Sequence, residues 1–170
     1  MLTVLNCLQV ENDGRLLFLA AIVCIVGVYG SFSIAKHASR SAGRARAIWA
    51  WSSVLASGCT AWATHMIALL AFQPGMEAGF DPILTILSLL LGVVGIGTGL
   101  ALAVGRQKRP RRFAAGTMLG VGVGALHYVG QASYVVRGEI AWDFGLVATS
   151  LLISLPISGL ALVAAGERRK

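Results

Sequence analysis

Apolar residues along this chain fall into five long blocks separated by short polar segments. The blocks lie at about 16–36, 47–73, 82–105, 113–136 and 143–165. Each is long enough to cross a hydrocarbon core, which takes about 20 helical residues. The short alternating segments of a membrane β-barrel are absent. The pattern predicts an all-α fold: an integral membrane helical bundle of about five transmembrane helices, forming a single membrane domain over residues 1–170. Glycine recurs within the blocks, at Gly92, Gly95, Gly97 and Gly99 and again at Gly116, Gly120, Gly122 and Gly124. In lipid, small residues let helix backbones approach closely, so these positions read as packing faces. Pro74, Pro82 and Pro110 fall at or near block ends, where a missing amide donor matters least.

Composition agrees. The chain is 56% hydrophobic and 12% charged, with a mean hydropathy of +0.77, against about 25% charged residues in a soluble domain. The formal net charge is +7, but its distribution excludes nucleic acid as a partner: basic residues are not interleaved with exposed aromatics. They cluster instead in alternate loops. Lys36, Arg40, Arg44 and Arg46 occupy one, and Arg106, Lys108, Arg109, Arg111 and Arg112 another, with Arg168, Arg169 and Lys170 in the tail. The intervening segments hold Glu11, Asp13 and Arg15, then Glu77 and Asp81, then Arg137, Glu139 and Asp143. The positive-inside rule places the N-terminus outside and the C-terminus inside a cytoplasmic membrane. The lipid bilayer is the first expected partner, and a homo-oligomer is left open. The N-terminus lacks the basic region of a cleavable signal, so the first block is expected to remain as a span. Cys7, Cys24 and Cys59 form no paired framework; Cys24 and Cys59 are expected to be small packing residues.

Two histidines interrupt the apolar blocks, in Trp62-Ala-Thr-His65-Met-Ile-Ala-Leu-Leu-Ala-Phe72 and Gly124-Ala-Leu-His127-Tyr-Val-Gly-Gln-Ala-Ser-Tyr134. They belong to a gapless internal repeat. An offset of 62 places His65 on His127, Gly58 on Gly120, Ala63 on Ala125, Asp81 on Asp143, Ser88 on Ser150 and Arg106 on Arg168. Each unit is a histidine helix running outward followed by a return helix. The first block reads as a return helix without its own histidine helix. A two-span repeat preserves orientation, so both histidines sit at one depth in the outer half of the membrane. The repeat is parallel, unlike the inverted plan of many transporters.

An ionisable group at membrane depth is costly and needs a partner or a purpose. Three readings stay open for His65 and His127. One is a metal site, with Met66, Tyr128, Gln131 or Met118 as further ligands; imidazole suits copper, zinc and iron. The second is interhelical hydrogen bonding, worth under about 1 kcal/mol. The third is a proton relay or ligand pocket, since histidine titrates near neutral pH. Gln131 follows His127 by four residues and shares its helix face, whereas Leu69 occupies that place after His65. His37, beside Lys36, is expected at the headgroups or a loop. Asp81 and Asp143 are expected to cap the return helices. Trp49, Trp51, Trp62 and Trp142 read as interface or packing aromatics.

The motifs Thr64-His65-Met66-Ile67 and Leu126-His127-Tyr128-Val129, with Trp62, Leu70-Ala71-Phe72 and Gly130 around them, resemble the MHYT domain, a bacterial integral membrane sensory module. The resemblance covers essentially the whole chain, in a shortened version. It implies an inner-membrane sensor whose cytoplasmic output is a cyclic-di-GMP or kinase type of domain or partner. It also implies a metal, copper in particular, held by Met and His, and the sensing of a diatomic gas. The motif methionines are replaced here: Thr64 and Leu126 precede the histidines, and Leu69 and Gln131 follow them by four. Thioethers are the ligands that select Cu(I), so the departures bear on the metal.

The leading expectation is a non-enzymatic sensory or signalling module in which a ligand or redox-active metal at the paired histidines alters helix packing. The alternatives are a small metal-handling or transport membrane protein and a structural accessory subunit. No nucleophile–base pair, paired carboxylates or HExxH pattern lies within the blocks.

Overall fold

A computed structural model describes residues 12–73, 75, 77–103, 108–138 and 141–167 of the chain. Cys7, Glu11, Pro74, Arg106, Glu139 and the basic tail 168–170, which entered the topology and repeat arguments, lie outside the described residues. The described residues form α1 (Gly14–Arg40), α2 (Gly43–Ala71), β1 (Ala78–Phe80), α3 (Pro82–Ala103), α4 (Arg109–Ala132), β2 (Tyr134–Val136) and α5 (Phe144–Glu167). All five helices are long and apolar enough to cross a membrane. Their outward apolar side chains, such as Phe144 at 79% exposure and Leu152 at 74%, make a surface that only lipid or another apolar partner can cover.

Consecutive helices pack as antiparallel neighbours, and α2 also touches α4 over a short stretch. Glycine makes the seams close, as its spacing predicts. Gly95 and Gly122 meet backbone to backbone between α3 and α4: a side chain at 122 would put its Cβ 2.8 Å from the Gly95 Cα. Gly116 rests on the Ser158–Gly159 backbone of α5, and Gly97 on Val54 of α2. Between α1 and α2, the buried Ser53 hydroxyl donates to the Ser31 carbonyl at 3.0 Å. Pro82 and Pro110 fall in the first turns of α3 and α4. Pro156 lies inside α5. Cys24 is half-buried, whereas Cys59 faces outward. The expected packing role does not hold for Cys59, which sits on the side of α2 that no helix covers.

One expected boundary is corrected. The fourth apolar block was read through residue 136, but the helix ends at Ala132 and Tyr134–Val136 are extended. Ser133 closes the helix: its amide donates to Val129 and Gly130 carbonyls, and its hydroxyl donates to Gly130 at 2.6 Å. The next residues, Val135 and Val136, are β-branched and favour extended backbone. They pair antiparallel with β1, Ala78 against Val136 and Phe80 against Tyr134. An exposed ion pair, Arg137 to Glu77 at 3.0 Å, borders this small sheet.

The repeat is visible in two joints at one end of the bundle. The Asp81 amide donates to the Ser133 carbonyl at 2.8 Å, and the Asp13 amide donates to the Ala71 carbonyl at 2.8 Å. Ala71 and Ser133 are equivalent under the offset of 62. The flanking residues pair in the same way, Asn12 with Phe72 and Phe80 with Tyr134. The start of each return helix is thus fastened to the end of the histidine helix that follows it. Each aspartate also caps its own helix, as expected for two of them. Asp13 accepts from Arg15 at 2.8 Å, Asp81 from Leu84 at 2.8 Å, and Asp143 from Gly145 and Leu146 at 2.9 and 3.1 Å.

Candidate functional site

His65 and His127 each lie six residues before a fastened helix end, Ala71 and Ser133, so each sits about 9 Å along its helix axis from its joint. The two rings meet. Their centroids are 4.9 Å apart with planes at 65°, an edge-to-face arrangement. The two are not alike in setting. His65 is half-buried, and its Nε2 is inaccessible and has no hydrogen-bond partner. His127 is exposed on the flank of α4. The Thr64 hydroxyl, next in sequence to His65, is likewise buried without a partner.

The floor of the site comes from Met66, a candidate ligand, and from Gly130, which the sequence marks only as a flank of the second motif. Gly130 of α4 lies against His65: a Cβ there would be 2.6 Å from both Nε2 and Cδ2 of the ring and 3.2 Å from Cε of Met66. Met66 is buried, at 8% exposure, with its methyl against this same glycine. Tyr128 stands edge-on to His127, with centroids 5.0 Å apart. Its hydroxyl is hydrogen-bonded to the Ser150 hydroxyl of α5, and Trp142 lies 6.2 Å beyond its ring. Gln131 is half-buried one turn after His127. Met118 is not brought to the rings. It is 38% exposed and nine residues before His127, about 13 Å away along the same helix.

Ser88 and Ser150 are equivalent positions that serve the histidine helices differently. Fully buried Ser88 accepts from the Trp62 indole N–H at 3.2 Å, and that N–H also reaches the Thr85 carbonyl at 3.3 Å. Ser150 instead binds Tyr128. One return helix grips the residue three before the histidine, and the other grips the residue after it. Ser88 and Ser150 were legible as repeat partners, but their contacts were not. His37 also has a partner the sequence did not reveal: it stacks on Trp49 near the end of the bundle opposite the joints, 5.5 Å between centroids.

Residues 58–116 and 120–170 each match the family described as MHYT, bacterial signalling protein N-terminal repeat. The chain belongs to the MHYT family. A Caulobacter vibrioides protein described as an uncharacterized signaling protein is 34% identical over 165 residues, covering 97% of this chain and 20% of that protein. Two Pseudomonas aeruginosa proteins are also similar. The bifunctional diguanylate cyclase/cyclic di-GMP phosphodiesterase MucR is 33% identical over 83% of the chain and 21% of its own length. The cyclic di-GMP phosphodiesterase NbdA is 30% identical over 94% of the chain and 20% of its own length. The chain therefore spans about a fifth of these relatives. No solved structure matches. The MHYT assignment makes this a multi-pass inner-membrane signalling domain, with the two matched repeats each carrying one of the paired histidines.

Among the described residues no group of three His, Cys, Asp or Glu converges. Any metal held here would rest on the two imidazoles and softer or neutral neighbours. Two imidazoles bound to one metal at about 2.0 Å and about 110° would have ring centres about 5 Å apart, and an edge-to-face pair without a metal stands at about 4.5–7 Å, so the observed 4.9 Å fits both. The orphaned Nε2 of His65 is the unsatisfied donor atom of the pair.

Proposed function

We propose that this MHYT domain is a sensory module whose input is bound by His65 and His127, and whose output is read on the cytoplasmic side. The observation that carries the reading is the meeting of the two repeat-equivalent rings at one depth, one of them with a buried nitrogen that nothing satisfies. Leaving such an atom unpaired costs about 1–3 kcal/mol, and a ligand that pairs it recovers that cost. A transition metal is the input that fits two adjacent imidazoles, and copper is the leading candidate. With the motif methionines replaced, Met66 is the one thioether beside the pair among the described residues, and soft ligands favour Cu(I). Such a metal would supply an open coordination position for a diatomic gas or a redox signal. A ligand shifts an equilibrium only by its differential affinity for the two packings. Here the difference lies in the α2–α4 spacing at the two rings, which a ligand shared by both would hold.

The orientation is N-terminus outside and C-terminus inside, from the alternation of acidic and basic loops. Output passes to a cyclic-di-GMP or kinase type of domain or partner, by analogy with the relatives named for cyclic-di-GMP synthesis and breakdown. The test is metal content and visible absorption of the purified chain beside His65→Ala and His127→Ala. The expected result is bound metal in the parent and background levels in both variants. Equal metal content and spectra in all three would sink the reading.

A further inference from the structure

Gly130 is buried in α4 and lies under the His65 ring of α2. Carbon atoms in contact prefer a separation of about 3.5–4.0 Å, yet a Cβ at 130 would lie 2.6 Å from two ring atoms, Nε2 and Cδ2. A Cβ there would displace the tip of the ring, which packs edge-on against His127 with centroids 4.9 Å apart, and would meet Met66 Cε at 3.2 Å. The repeat supplies an independent comparison. The position equivalent to Gly130 one unit earlier is Ala68. Among the described residues no histidine helix precedes α2, so no ring needs a seat there, and a methyl group is accommodated. Where a histidine of the preceding unit does arrive, the methyl group is missing.

We infer that Gly130 is a positioning residue: its absent side chain is the seat that sets the spacing between His65 and His127. The inference rests on the paired-histidine reading above, but its test has a readout that needs no metal. The full chain is reconstituted in lipid nanodiscs with isotope-labelled histidine, and ring-to-ring contacts are read by solid-state NMR. The parent is expected to give one inter-histidine contact that His65→Ala and His127→Ala both abolish. Gly130→Ala is expected to lose that contact. Gly124→Ala, whose Cβ would meet only the Leu151 side-chain end at 2.9 Å, is expected to keep it.

In the second arm, copper(I) alone is titrated against a competing chelator. Gly130→Ala is expected to weaken retention about 10–100-fold, the range for groups that orient a ligand, with Gly124→Ala unchanged. An intact ring contact in Gly130→Ala overturns the inference whatever the metal result. A lost contact in Gly130→Ala, in a parent that takes up no copper, supports the seat and refutes the metal reading instead. If Gly130→Ala unfolds, the double variant Gly130→Ala/His65→Ala decides. Removing the ring is expected to restore the folded chain, and failure to restore it overturns the inference.

Discussion

Replacing Asp81 tests the side-chain cap that starts α3 beside its joint to α4. The carboxylate accepts the Leu84 amide at 2.8 Å at the start of α3, while the backbone amide of the same residue donates to Ser133 at the end of α4. Alanine removes the first bond and leaves the second possible. Loss of an N-cap acceptor costs about 0.5–2 kcal/mol. Loss of the negative charge at the helix start adds about 0.3–1 kcal/mol. Asp81→Ala should therefore destabilise the bundle by about 1–3 kcal/mol, on those two contributions. Asp81→Asn keeps the acceptor and forfeits only the charge, so it should cost about 0.3–1 kcal/mol. Glu77→Ala is the control, since it removes only an exposed ion pair worth about 0–1 kcal/mol. The assay is reversible unfolding in mixed detergent micelles, followed by far-UV circular dichroism. Equal losses for Asp81→Ala and Asp81→Asn would show that charge, not the cap, holds this helix start. Silence in both would refute the capping argument.

Other substitutions probe separate seams. Gly122→Ala forces α3 and α4 apart where Gly95 and Gly122 touch, and should cost about 1–3 kcal/mol as overpacking; unchanged stability in the same assay would count against the close approach. A double-mutant cycle of Tyr128→Phe and Ser150→Ala should give a coupling of about 0.6 kcal/mol, the average for interhelical bonds in membranes; strict additivity would mean the hydroxyls do not bond. Burial pushes the Tyr134 phenol above its ordinary value, so its contribution is complete below the unfolded value of about 10 and is lost as pH rises through the folded one. Phenolate absorbance of Tyr134→Phe against the parent checks the direction, and a normal titration would contradict it.

The helices were legible because their period did not matter: uninterrupted apolar length identifies a span without any face being known. The aspartate caps were legible from residue type and position, and the glycine seams from their clustering. The end of α4 was not, because Tyr134, Val135 and Val136 are as apolar as the helix before them. Only the pairing of Phe80 with Tyr134 distinguishes strand from helix there. The repeat put His65 and His127 at one depth, but depth alone does not make rings meet. Rotation of α2 and α4 about their axes decides that, and rotation is set by Trp62 on Ser88, by Tyr128 on Ser150 and by the bare backbone of Gly130. Met118 shows the converse. It was plausible as a ligand by chemistry, and helical rise carries it about 13 Å from the rings.

The joints also bear on where the bundle can bend. Main-chain hydrogen bonds fasten α1 to α2 and α3 to α4 at one end of the bundle. Tyr134 reaches the Phe72 carbonyl at 3.5 Å, tying one joint to the other. Among the described residues no main-chain bond joins different helices at the opposite end; side chains such as Arg112 resting on Gly166 meet there instead. A histidine helix that tilts about its fastened end acts as a lever. The rings sit about 9 Å from that fulcrum, and the far end of α2 about 42 Å from it at 1.5 Å per residue. A tilt that moves His65 by about 0.5 Å moves the far end by about 2 Å, a gain of between four- and fivefold on those helical distances.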